Sequence, residues 1–297
     1  MKSSVPSGRR TGPPGPVAPG LHFVATPIGA ARDITLRALD ILGGADLIAA
    51  EDTRTARKLM EIHGIALNGR KVVAYHDHSG QGARDRIVGD IAEGRSVAYV
   101  SEAGTPLVAD PGFALGRAVI ARGLAVFAAP GASAVLAALA VSGLPTDRFA
   151  FVGFMPPARA ARRAALAELR DLGMTLVFYE SPKRVSDLLG DLAQDWGGSR
   201  EAVVCRELTK KFEEVSRGTL EALAAAFADR DPKGEIVVLV APAGRPEAGD
   251  DEIAEALRVA MRGARVKDAA NMVAGAMGLP RRQVYQIALD LARDDDG

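Results

Sequence analysis

The densest run of chemically useful residues is Ser101-Glu102-Ala103-Gly104-Thr105-Pro106-Leu107, followed by Asp110-Pro111-Gly112. It comes directly after Ser96 to Val100, an apolar run that reads as a strand. A strand that ends in small residues lets a ligand approach the backbone closely, and exposed amides with the Thr105 hydroxyl can hydrogen-bond it. The same composition serves any tight strand-to-helix connection, so both readings stand at this point. Three other strand ends share the character: Thr26-Pro27-Ile28-Gly29, Pro130-Gly131-Ala132-Ser133 and Glu51-Asp52-Thr53-Arg54. In the last, Asp and Thr suit a helix start, where they satisfy free amides and acids meet the positive end of the dipole. Two adjacent acids at a strand end also offer a proton acceptor.

Further along, Phe178-Tyr179-Glu180-Ser181-Pro182-Lys183-Arg184 and Arg206-Glu207-Leu208-Thr209-Lys210 put charged groups at two more strand ends. Glu180 and Glu207 are equally suited to a site and to pairing with a nearby Arg. His76-Asp77-His78 holds histidines at i and i+2, but no partner His or Cys motif completes a metal set, which favours hydrogen bonding to a substrate. Neither the dinucleotide fingerprint nor the nucleotide-triphosphate P-loop is present, which points to a cofactor other than NAD or ATP. Basic residues gather twice: Arg148, Arg159, Arg162 and Arg163, and then Arg258, Arg262 and Arg265 at i, i+4 and i+7, with Lys267, Arg281 and Arg282 near. Such stripes are commonly solvated faces, yet Arg and Lys contacts to phosphate also supply most non-specific RNA affinity.

These groups need a scaffold. After Gly20, apolar runs at Leu21 to Thr26, Asp46 to Ala50, Val72 to Tyr75, Ser96 to Val100 and Ala125 to Ala129 alternate with segments of helical period, the first of them behind a cap at Asp33. Alternation of this kind implies a mostly parallel sheet covered by helices, with functional groups at the carboxyl ends of the strands. A small-residue helix from Ala132 to Ser142 is broken by Gly143-Leu144-Pro145-Thr146, and a second strand series follows: Phe149 to Phe154, Thr175 to Tyr179, Ala202 to Arg206, Glu214 to Gly218 and Glu235 to Ala241. Some of these neighbours leave no room for a crossover helix, so the second sheet should be mixed.

The expected class is therefore α/β, with two lobes, a ligand cleft between them and a small helical extension. The boundaries read as a Pro- and Gly-rich leader over 1–20, an N-terminal lobe over 21–133, a C-terminal lobe over 134–243 and, after a linker, helices over 250–292. Those helices, Asp251 to Met261, Val266 to Met277 and Leu279 to Ala292, resemble a helix-turn-helix appendage. The chain's 297 residues, 48% hydrophobic and 25% charged, suffice for real cores. Lys plus Arg and Asp plus Glu both count 37, so any basic surface must be local. The single cysteine, Cys205, excludes an internal disulfide framework and fits a reducing cytoplasm, and the leader has no apolar segment that would make a signal peptide or membrane helix.

From Leu21 to Ala241 the sequence resembles the tetrapyrrole methylase superfamily, and within it the branch of 16S ribosomal RNA cytidine 2′-O-methyltransferases. The stretches that carry the resemblance are Val24-Ala25-Thr26-Pro27-Ile28-Gly29, Asp33-Ile34-Thr35-Leu36-Arg37-Ala38-Leu39, Ala49-Ala50-Glu51-Asp52-Thr53-Arg54, Ala103-Gly104-Thr105-Pro106-Leu107, Gly143 to Phe149, Phe178 to Pro182, Arg206 to Lys210 and Lys233-Gly234-Glu235. The tail, with Lys267-Asp268-Ala269-Ala270 and Val284-Tyr285, looks like that family's helical extension. The resemblance implies S-adenosylmethionine held in the interlobe cleft without a metal, a homodimer, and small-subunit ribosomal RNA or the assembling subunit as partner. It assigns the cofactor to Pro27, Ser101, Glu102, Thr105, Ser133, Ala134, Tyr179 and Thr209. This chain departs from the family pattern at Glu102, where Asp is usual, and at Ala30, where Asn is usual. Methyl transfer is a direct displacement that requires alignment and a proton acceptor; the resemblance points to Glu51, with Asp52 in reserve, and Arg54 and Lys183 suit phosphate. Two rival readings are a tetrapyrrole-ring methyltransferase of the same fold and an RNA-binding protein without catalysis.

Overall fold

The computed structural model describes residues 16–76, 79–243, 250–277, 279 and 281–294. Most of the expected leader, the linker over 244–249, Pro280, and Asp77 and His78 of the histidine pair lie outside the described residues. The first sheet contains β1 (Gly20–Val24), β2 (Leu47–Ala50), β3 (Lys71–Ala74), β4 (Ser96–Val100) and β5 (Val126–Ala129). All its pairings are parallel, in the order β3-β2-β4-β1-β5. Side chains alternate across a strand, so β4 sends Ala98 and Val100 to one face and Val97 and Tyr99 to the other. Helices α1 (Leu36–Gly44) and α2 (Thr53–Ile62) cover the first face with Ile41, Leu42 and Met60, while α3 (Gln81–Ala92) and α4 (Phe113–Ala121) cover the second with Ile87, Val88, Leu115 and Val119. The helix start expected at Asp33 falls two residues later. Asp33 ends a short 3-10 turn, and the Thr35 hydroxyl caps α1 by accepting the amide of Ala38 at 3.1 Å.

The second sheet is mixed, as the spacing requires. It runs β6 (Phe149–Phe154), β7 (Thr175–Glu180), β10 (Ile236–Val240), β8 (Glu201–Arg206) and β9 (Glu214–Thr219) in space, with β6 and β7 parallel and the rest antiparallel. Helix α5 (Ala134–Ser142), which leaves the end of β5, packs Val135, Ala138 and Leu139 against Val177, Val203, Cys205 and Leu239 of this sheet. Ile28, from the loop after β1, is buried in the same cluster, so both sheets belong to one compact unit. Helices α7 (Val185–Trp196) and α8 (Leu220–Phe227) bury Leu188, Leu189, Leu223 and Phe227.

Helix α6 (Arg159–Leu169), the crossover of the parallel pair, is tied to α7 by charge. Arg162 Nε donates to Asp191 at 2.8 Å, Arg159 Nε donates to the same carboxylate at 3.0 Å, and Arg163 pairs with Asp195. Arg162 is 3% exposed and Asp191 2%, which removes Arg162 from the basic surface that its spacing suggested. Its neighbours Arg159 and Arg163 keep exposed edges but spend their donors on the fold. A separate unit holds α9 (Asp250–Met261), α10 (Val266–Met277) and α11 (Arg281–Asp294), which share a core of Ile253, Leu257, Val273, Val284 and Ala288. Because α9 ends at Met261, Arg258 lies on the helix while Arg262 and Arg265 lie in the connection to α10, and the expected single stripe is divided.

Removing one partner of a buried ion pair leaves an uncompensated charge. Arg162→Ala should therefore lower the unfolding free energy by about 3–5 kcal/mol in urea denaturation, while Arg162→Met combined with Asp191→Leu recovers most of the loss.

A candidate cofactor cleft at the strand ends

Beyond the carboxyl ends of β1 and β4 the chain makes an isolated antiparallel bridge. Thr26 N donates to Gly104 O at 2.8 Å and Gly104 N donates to Thr26 O at 3.0 Å. Gly104 has φ +80°, and a Cβ there would come within 3.2 Å of Ile28 Cγ2, so both conformation and space call for glycine. The turn after β5 is drawn in by the Thr105 hydroxyl, which donates to Ala132 O at 2.9 Å. On the opposite side, Ala30 N donates to the Thr209 hydroxyl at 3.1 Å and Gly29 lies directly against Thr209 and Lys210. The first-lobe loops are thus fastened to one another and to the second lobe.

They enclose a cleft of about 350 Å³, within the range of small-molecule sites at about 300–1,000 Å³. Five of the eight residues assigned to the cofactor line it: Glu102, Thr105, Ser133, Ala134 and Tyr179. The other three stand behind the wall. Pro27 joins the bridging Thr26 to the lining Ile28, Ser101 is buried and bonds Asp110, and Thr209 anchors Ala30. Ala30, at one departure from the family pattern, thus uses its backbone amide for the clasp. Ser133 occupies the cap position of α5, its hydroxyl caps no amide, and Ser133 with Ala134 at the helix start lines the cleft. Tyr179 meets Phe151 and Phe154 edgewise, with centroids 4.7 and 5.8 Å away. Burial pushes its phenol up to about 12, although the Val135 amide donates to it.

Three carboxylates gather near the end of β4. Glu51 Oε2 accepts the Glu102 amide at 3.0 Å. Asp52 caps α2 by accepting the amides of Arg54 at 2.6 Å and Thr55 at 3.2 Å, which lowers its pKa below the ordinary Asp value. Asp110 behaves oppositely. Burial raises it to about 6, against the Ser101 hydrogen bond and with help from the negative charges of Glu51 and Glu102. The loop presenting it holds two non-glycine residues at positive φ, Leu107 at 74° and Ala109 at 59°, a conformation that persists where the surroundings enforce it. Sequence reading had singled out the Asp110-Pro111-Gly112 turn without giving Asp110 a role, because nothing in its spacing reports desolvation. Phe154 and Ile28 line the cleft too, and their apolar type marked them only as strand and loop residues.

The charges at the other strand ends divide as the neutral reading allowed. Glu180 pairs with Arg184 at 3.0 Å, and Glu207 pairs with Lys210 at 2.8 Å and accepts the Glu235 amide. Arg54 is 90% exposed and pairs with Asp52 at 3.5 Å, and Lys183 is exposed directly after the cleft-lining Pro182. Among the described residues no group of three or more His, Cys, Asp or Glu is arranged to hold a metal ion, and no helix is long and apolar enough to cross a membrane.

Two unlike α/β lobes with a ligand cleft at their strand ends form a two-lobed α/β architecture built to hold a small molecule. Residues 20–224 match the family of Tetrapyrrole (Corrin/Porphyrin) Methylases, and residues 247–292 match the RsmI C-terminal HTH domain. The chain is 45% identical, over 96% of both lengths, to "Ribosomal RNA small subunit methyltransferase I" of Mesorhizobium japonicum, and 42% identical to the protein so named from Halalkalibacterium halodurans, over 90% of this chain and 93% of that one. A conserved hypothetical protein from Aeropyrum pernix K1 shares the fold at TM-score 0.58 and 22% identity, covering 94% of this chain and 98% of that one. This chain belongs to the ribosomal RNA small subunit methyltransferase I family.

Asp110 carries a pH signature. Its folded value lies above that of an unfolded Asp, so the folded state binds the extra proton between about pH 4 and pH 6 and is penalised above that range. Asp110→Asn should accordingly be more stable than the native chain at pH 8, with the gain fading as pH falls from 6 to 4. A constant difference across that window, measured by urea denaturation, would mean that Asp110 titrates as an ordinary carboxylate.

Proposed function

We propose that this chain transfers the methyl group of S-adenosylmethionine to the ribose 2′-hydroxyl of a cytidine in small-subunit ribosomal RNA, acting as a homodimer in the cytoplasm. The observation that carries the reading is the likeness over 96% of both chains, through both lobes and the helical extension, to a relative named for small-subunit ribosomal RNA methylation. A likeness that includes the extension favours RNA over a tetrapyrrole ring, since a compact macrocycle needs no such appendage.

The cleft residues suit the cofactor. The Thr26 hydroxyl is buried without a hydrogen-bond partner, Gly104 keeps the floor open, and the α5 N-terminus with Ser133 offers donors of the kind a carboxylate takes. Pro27, Ser101 and Thr209 hold that surface in shape, and Glu102, Thr105, Ala134 and Tyr179 line it. S-adenosylmethionine supplies an electrophilic methyl on a sulfonium, so the carbon–sulfur bond breaks as the carbon–oxygen bond forms. The protein's share is to align the ribose oxygen, exclude water and take the hydroxyl proton. Glu51 takes the proton in this reading: the Glu102 amide fixes one of its oxygens and leaves the other to accept. Asp52, occupied as a helix cap, is the weaker candidate. Arg54 and Lys183 meet phosphate, and Arg258, Arg262 and Arg265 of the helical unit add further cationic contacts.

Mapping ribose methylation in ribosomal RNA from cells with and without this protein tests the activity directly; an unchanged map rejects it. For the proton acceptor, Glu51→Gln keeps shape and removes the basic carboxylate, so single-turnover transfer should slow by about a hundredfold or more at saturating cofactor and RNA. S-adenosylhomocysteine affinity, measured by calorimetry, should change little. A near-normal rate in Glu51→Gln with a large loss in Asp52→Asn would move the base one residue along.

A further inference from the structure

Next to the cleft, at the turn end of the β8–β9 hairpin, lies a depression of about 430 Å³ bordered by Arg206, Phe212, Arg230, Asp231, Pro232 and Lys233. Phe212 is 63% exposed, and the Lys211 ammonium lies 5.4 Å from its ring centroid. Glu214 sits between two guanidinium groups, accepting from Arg206 at 3.0 Å and from both terminal nitrogens of Arg230 at 2.9 and 3.0 Å. Arg206, Arg230 and Lys233 outnumber the two carboxylates there, Glu214 and Asp231, by one positive charge, and Arg230 is further held over the Phe227 ring at 4.5 Å. The cations are therefore fixed before any ligand arrives, while Lys233 is exposed beside them. An exposed aromatic face beside fixed cations matches single-stranded nucleic acid, whose bases stack on rings while its phosphates meet Arg and Lys.

The position singles out which strand it would hold. Pro232 and Lys233 border the depression, and the next two residues, Gly234 and Glu235, line the cleft, so the two sites share one stretch of backbone. Glu235 would repel phosphate on that path, and Lys210, shared between Glu207 and Glu235 at 2.8 Å from each, offsets part of that charge. Glu102 and Asp110 also line the cleft, with Glu51 bonded to the Glu102 amide, and these carboxylates turn a polyanion away. RNA with one ribose in the cleft is thus steered out over Lys233.

We propose that Phe212, Arg230 and Lys233 form a docking subsite for the single-stranded RNA flanking the methylated nucleotide, with Phe212 stacked on an unpaired base and Lys233 facing phosphate. The inference rests on the RNA reading given above. Two probes test it: a short fluorescein-labelled oligocytidylate, and small ribosomal subunits from cells lacking the protein. Phe212→Ala should weaken binding of both by roughly tenfold, the scale of one base–aromatic stack. Phe212→Trp should retain binding, and its added indole emission should fall when unlabelled oligocytidylate is bound. Lys233→Glu should weaken binding and reduce the salt slope by about one or more. S-adenosylhomocysteine affinity and thermal midpoint should stay native in all three, since the side chains are at the surface. Native affinity in Phe212→Ala and Lys233→Glu, with native protein binding the probes, overturns the subsite and leaves the RNA reading intact. No binding of either probe by native protein overturns both.

Discussion

Two backbone hydrogen bonds join Thr26 to Gly104 where β1 and β4 have already ended as strands. In a parallel sheet the chain must leave each strand end for a crossover helix, and the backbone groups released there need new partners. Here two neighbouring strand ends satisfy each other, which brings both loops to van der Waals contact and forces glycine at 104. The floor of the cleft is consequently backbone rather than side chain. Ile28 emerges from this bridge into the second lobe's core, and Thr105 reaches from it to the turn after β5. One local pairing therefore sets the spacing of three loops and the meeting of two lobes.

The same geometry explains why adjacent acids take different work. Glu51 continues the ladder of β2, its amide bonded to Val100 O at 3.0 Å, and Asp52 remains extended at φ −117° before α2 begins. Consecutive side chains in extended backbone point to opposite sides. Glu51 turns towards the β4 loop and Asp52 towards the start of α2, where free amides bind it. Asp110, nine residues past Ser101, then meets Glu51 and Glu102 in a partly dry space, and burial with like charge keeps a proton on it more readily than on either helix-capping or solvated acids.

Strands, sheet character and lobe order were legible because hydrophobic runs and the lengths between them restrict parallel and antiparallel connections. β4 and β6 begin and end at the expected residues, and most other ends shift by one or two. The cleft-lining turns were legible for a related reason, since small residues at strand ends are required wherever backbone must be approached. Long-range partners were not. Asp191, about thirty residues from Arg159 and Arg162, consumes both, and no spacing rule within α6 announces an acid on α7. Nor could composition tell that Asp33 would yield its cap to Thr35, because both residue types serve and only the 3-10 turn decides.

A chain with 37 basic and 37 acidic residues attracts a polyanion only where charge is separated locally. Pairing does that separation. On α6 the acids of α7 cancel the arginines almost one for one, whereas Glu214 is shared by two arginines and Lys210 by two acids. At the end of β4, Asp52 pairs with Arg54, whereas burial raises Asp110 to about 6, so that it takes up a proton at a higher pH than an ordinary Asp. Screening at physiological salt limits exposed charges to about 8 Å, so each patch acts on its own surroundings and the zero total is irrelevant to them. The carboxylates lining the cleft and the cationic rim beyond Glu235 are therefore separate fields, and in the proposed docking mode the direction of an RNA backbone follows from which ion pairs the fold completes and which it leaves in excess.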